Sequence, residues 1–228
     1  MKPLLTTLLC LVMLMTAMAQ PAHSTATNFP VIPSTHDFIM DCMKSTGEVP
    51  HKEMSLWIPA RFWEIVGQQM KIAPDQVNSI VREMSPYMMF CVVDYTMEGS
   101  RMTFKSAEDI RPTLKLVDSS KHVYLPLADK DISPLALKMV NQFQPIMAKL
   151  LGQFGDGMHV FLFDGTAGNG KPAFDVDKPN RFLLTWDGAT AKWALPLTSV
   201  LPPKYCPVDN EPMQGNWNYC PIHGAKLQ

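Results

Sequence analysis

Several residue groups in this 228-residue chain have types and spacings that could do chemistry. The first is the cysteines. Cys10 lies in an N-terminal apolar run, while Cys42, Cys91, Cys206 and Cys220 lie in the body. An even number of cysteines in an oxidising compartment favours disulfides. The short loop between Cys206 and Cys220 makes them the natural pair, which leaves Cys42 for Cys91. A bridge closing that short loop would contribute roughly 3 kcal/mol on loop-entropy grounds. The second group is Met40, Cys42 and Met43 near His36, soft ligands of the kind that hold Cu(I). Most methionines here fall on apolar stripes, however, where methionine is ordinary core filler.

The other constellations are weaker. Gly165 to Lys171 matches the opening of a phosphate-binding loop, but Pro172 stands where Ser or Thr would hold Mg²⁺, and no helix pattern follows. A Gly-rich hairpin loop is the better reading. Asp175 and Asp177 could open a calcium loop, yet the further oxygen ligands are missing. His122 and His159 fall at predicted strand edges and read as structural. No Gly-x-Ser-x-Gly and no His-Glu-x-x-His occurs, so any hydrolytic site would have to be assembled from loops.

The positioning elements start after an address. Residues 1–19 read as a signal peptide: Lys2, an apolar run from Leu4 to Met15 too short to span a bilayer, and Ala17-Met18-Ala19 before Gln20. Without Lys2, 19 basic residues face 21 acidic ones. That balance points away from nucleic acid and from a polybasic membrane patch, and no second transmembrane run follows. The expectation is a periplasmic or secreted protein. Residues 20–35 are rich in Pro, Ala, Ser and Thr and read as a tether.

Residues 36–55 read as a helix running to Lys44 and a connection. Arg61 to Met70 reads as a second helix, and Pro74 opens a third that runs to Met84 with Val77, Ile80, Val81 and Met84 as its stripe. Ser133-Pro134 opens another. Met88 to Tyr95 and Met158 to Asp164 are nearly continuous apolar runs and read as central strands. Phe104 and Phe174 mark second strands, and Thr113 to Val117 and Arg181 to Trp186 third ones. Asp118-Ser119-Ser120 and Asp187-Gly188-Ala189 read as hairpin turns.

Shifting the chain by 70 places Met88, Asp94, Thr96, Phe104, Arg111, Leu114 and Leu125-Pro126-Leu127 on identical residues, nine matches in forty positions. Average residue usage would give roughly two or three. The expectation is an α+β protein of two tandem repeats, 56–128 and 129–200, each two helices followed by about four short strands. The alternative is one β-sandwich built from both repeats with peripheral helices.

Residues 201–228 carry the clearest motif. Cys206-Pro207-Val208-Asp209-Asn210 and Cys220-Pro221-Ile222-His223-Gly224, the second preceded by Trp217 and Tyr219, resemble the two knuckles of a zinc ribbon. The resemblance implies a metal site at Cys206, Asp209, Cys220 and His223. Asp209 and His223 stand where cysteines are usual, and Asn210 where glycine is usual. Two thiolates, an imidazole and a carboxylate can still bind zinc tetrahedrally, and a closed site of this kind is structural. A Cys206–Cys220 disulfide is the other reading. More weakly, the strand runs resemble small Ig-like modules of bacterial envelope proteins. Together these readings point to an exported, non-enzymatic binding or structural protein with an envelope protein as partner. A metal-binding protein (zinc, or less favourably copper) and an envelope hydrolase are the alternatives.

Overall fold

The computed structural model describes residues 34–166 and 173–228. The expected signal peptide, most of the expected tether and most of the Gly165–Lys171 loop lie outside them. The protein is α+β. In chain order the described elements are α1 (Thr35–Cys42), β1 (Met43–Glu48), β2 (His51–Ile58), α2 (Ala60–Gln69), α3 (Pro74–Met84), β3 (Tyr87–Glu98), β4 (Arg101–Phe104) and α4 (Ala107–Ile110). There follow β5 (Lys115–Asp118), β6 (Val123–Tyr124), α5 (Pro134–Leu150), β7 (Met158–Asp164), β8 (Asn180–Trp186), β9 (Ala189–Leu195), β10 (Lys204–Tyr205) and β11 (Pro212–Met213). None of the described helices is long and apolar enough to cross a membrane.

Local rules explain most boundaries. The Ser34 hydroxyl accepts the Asp37 N–H at the start of α1, and the Ser133 hydroxyl accepts the Ala136 N–H at the start of α5. Each thereby satisfies an amide that has no partner within its helix. Pro74 and Pro134 sit in first turns, where a missing N–H costs nothing.

The first sheet pairs β1, β2, β3 and β4 antiparallel, with β7 also on β3; the second runs β6-β5-β8-β9. The two sheets stack. Trp57 and Phe90 of the first meet Phe182 and Trp193 of the second, with ring centroids 4.9 Å apart for Trp57–Phe182 and 5.6 Å for Phe90–Trp193. Among the described residues the second sheet is covered on this side only: β8 and β9 alternate buried with more accessible residues, as a half-buried strand must. The first sheet is covered on both faces, so β3 is buried without a break from Met88 to Tyr95. Its far face carries the helices, where Phe143 of α5 lies against Phe62 and Trp63 of α2.

Both sheets draw strands from both halves of the chain, since β3 pairs with β7 and β5 with β8. The arrangement joins a helix layer to two stacked sheets. The helical parts of the two halves differ: α2 and α3 have the single long α5 and a 3-10 turn as their counterpart. Two further expectations are corrected. The first helix stops at Cys42 because Met43–Glu48 pairs with β2. Phe174 lies in a loop and not a strand, although it is buried against Phe182.

Candidate functional site: a C-terminal metal knuckle

The chain after β9 forms a small hairpin module with its own core of Cys206, Met213, Cys220 and Leu227. Its two halves repeat one local structure. The Cys206 N–H donates to the Glu211 carbonyl (3.0 Å) and the Asn210 N–H to the Cys206 carbonyl (2.8 Å). Fourteen residues on, the Cys220 N–H donates to the Ala225 carbonyl (2.8 Å) and the Gly224 N–H to the Cys220 carbonyl (2.9 Å). Both turns close through a left-handed residue, Asn210 at φ +59° and Gly224 at φ +64°. Asparagine is among the few side chains that adopt this conformation readily, so it can replace the glycine.

This doubled turn aims backbone N–H groups at both sulfurs. The His223 N–H lies 3.4 Å from Cys220 Sγ, the Ile222 amide also reaches Cys220, and the Val208 and Asp209 amides reach Cys206. Burial pushes both thiols up. At Cys220 the amides of His223 and Ile222, with the Cys206 thiol and the imidazole, outweigh burial and leave it below the ordinary thiol value. At Cys206 burial prevails, so its thiol stays raised. The Asp209 carboxyl is held low, first by the Glu211 N–H and then by the Cys206 thiol.

Three of the four expected ligands, Cys206, Cys220 and His223, form one group, and Asp209 lies beside His223 outside it. His223 Nδ1 lies 3.4 Å from Cys206 Sγ, 3.6 Å from Cys220 Sγ and 3.5 Å from Asp209 Oδ2. The ligand atoms of Cys206, Cys220 and His223 all lie within 4.8 Å of one another, so this group could hold a metal ion. The sulfurs are near each other but not bonded.

All four cysteines among the described residues are free thiols. The alternative Cys42–Cys91 pair is therefore two separate buried thiols. Cys42, 1% exposed, faces the core, Met40 on the same helix is half exposed, and Met43 belongs to β1, so the soft ligands considered for copper are split between two elements and two environments. Asp175 is paired with Lys178 at 2.7 Å and accepts the Asp177 N–H, which leaves a self-contained turn in place of the calcium loop. His159 Nε2 is hydrogen-bonded to the Lys105 carbonyl at 2.9 Å, a structural role.

Sequence reasoning missed a second polar centre. Asp94, 1% exposed, accepts hydrogen bonds from His51 Nε2 (2.7 Å) and Trp186 Nε1 (3.2 Å), and Lys105 Nζ lies 3.3 Å away. The only sequence signal was an aspartate inside an otherwise apolar strand. Comparison of the chain with family models, with curated proteins and with solved structures found no match to any of them.

Proposed function

We propose that this is an exported, non-enzymatic binding protein whose C-terminal module is stapled by a structural zinc ion held by Cys206, Asp209, Cys220 and His223. One observation carries the reading: the spacing of the ligand atoms. With Zn–S about 2.3 Å, Zn–N about 2.05 Å and Zn–O about 2.0 Å, a tetrahedron has S···N edges of about 3.5 Å and an N···O edge of about 3.3 Å. The protein presents 3.4, 3.6 and 3.5 Å at the corresponding positions. With Asp209 brought onto the ion beside Cys206, Cys220 and His223, no coordination position stays open, which suits a staple and not catalysis. The module needs one, because its own core is only four residues.

The binding role is supported by what the knuckles display. Val208 and Ile222, equivalent residues of the two turns, are 62% and 68% exposed, and Tyr219 is 63% exposed beside them. Apolar side chains held outward by a rigid turn suit contact with a partner protein.

The test is the native mass of the mature protein beside its denatured mass. Extra mass matching one zinc, lost in both Cys220→Ser and His223→Ala, is expected. Zinc retained at full stoichiometry in either variant, or a mass two hydrogens short with no metal, would overturn the reading.

A further inference from the structure

The β5–β6 hairpin and the end of β7 border an open cleft of about 700 Å³ lined by Asp118, Ser120, Lys121, His122, Tyr124, Asp164 and Thr166. That size falls within the roughly 300–1,000 Å³ of small-ligand sites. The two walls come from distant parts of the chain. Several of the polar groups are held in place. Asp118 Oδ1 accepts the N–H groups of Ser120 (2.9 Å) and His122 (2.8 Å), and Oδ2 accepts the Tyr124 hydroxyl (3.3 Å). Asp164 Oδ1 accepts both the amide (2.9 Å) and the hydroxyl (2.6 Å) of Thr166. The Tyr124 ring is edge-on to His122 at 4.5 Å and to Phe174 at 6.4 Å.

The chemistry narrows the ligand. Burial, then Asp118, then the charge of Asp164 push the Tyr124 phenol above its ordinary value, so the hydroxyl that donates to Asp118 stays protonated. Two carboxylates disfavour an anion. A divalent cation is disfavoured as well, because N–H and O–H donors occupy both Asp118 oxygens and Lys121 adds an ammonium. An apolar ligand would leave the polar lining unpaired. Hydroxyl groups both donate and accept, and so match a rim that alternates carboxylate, ammonium, imidazole, phenol and hydroxyl.

We propose that this cleft is a binding site for a saccharide, specifically a neutral or N-acetylated hexose oligomer. The proposal stands on different residues from the metal knuckle and holds with or without zinc there.

The experiment is titration of the ¹⁵N-labelled full chain with maltotetraose and, separately, with the tetramer of N-acetylglucosamine, followed by amide shifts. Saturable shifts of the Ser120, His122 and Thr166 amides are expected with at least one of the two. Tyr124→Phe keeps the ring and removes the hydroxyl, and should weaken binding about five-fold or more, the usual scale for one lost hydrogen bond. Asp164→Asn, on the opposite wall, should weaken it as well. The proposal is overturned if none of these amides shifts with either sugar. It is equally overturned if both variants bind as the parent does, or if a hexuronate tetramer binds more tightly than both neutral sugars.

Discussion

Among single residues, Asp94 bears the most. Its register partner on β2 is Glu53, itself 6% exposed, so two carboxylates lie buried side by side. The Lys105 ammonium and the His51 imidazole lie beside them, with His51 Nδ1 3.7 Å from Glu53. Asp94→Ala would leave the buried Trp186 N–H without an acceptor and take one partner each from His51 and Lys105, at about 2–3 kcal/mol. Trp186→Phe removes one donor and should cost only about 1–2 kcal/mol. Urea unfolding of both variants checks the order.

The buried thiols carry a pH prediction. Burial pushes Cys91 up to about 12 from the ordinary 9.0, and Cys42 is raised as well. The unfolded chain therefore releases protons that the folded chain keeps. Their contribution to stability is complete below about pH 9 and falls as pH rises from there through about 12, by up to about 1.4 kcal/mol per unit per thiol. Cys91→Ala should flatten the fall between pH 9 and 10.5, measured by urea unfolding at each pH.

At the scale of elements, the contact of β4 with the start of β7 is unusually close. A Cβ on Gly157 would lie 2.1 Å from the Phe104 ring, so Gly157→Ala should cost about 2–3 kcal/mol through overpacking. Pairing it with Phe104→Ala should recover part of that loss, a coupling that a double-mutant cycle would read directly. Phe104 is itself only partly buried, whereas Phe174 is 7% exposed and packs on Phe182 with centroids 4.8 Å apart. Truncating Phe174 to alanine should therefore cost about 3–4 kcal/mol, and truncating Phe104 less. The sequence comparison treated the two as equivalents, and their different burial separates them.

For the whole molecule, the knuckle core is a separate cluster from the main core that spans both sheets and the helices. Metal removal should therefore unfold one part. A strong chelator is expected to collapse the amide dispersion of residues 204–228 and leave that of the two sheets in place. Lowering the pH should act similarly, because thiolate and imidazole ligands must be deprotonated to bind. Simultaneous loss of both sets of signals would show that the zinc holds the body together as well.

What the chain determined by itself is whatever is local. The bounds of α3 and β7, the serine cap of α5 and the hairpin turns at Asp118 and Asp187 follow from periodicity and turn chemistry within a few residues. The grouping of Cys206, Cys220 and His223 was legible for the same reason, as each turn is one short stretch and its spacing sets its geometry. Only the tertiary structure decided which strands pair. β3 joins β7 and β5 joins β8 across some seventy residues, by complementarity between surfaces that no local window contains. The same pairing buries Asp94 between the sheets and brings Asp164 to the cleft that Tyr124 also lines. Neither the polar hub nor the cleft exists until the two halves of the chain have folded onto one another.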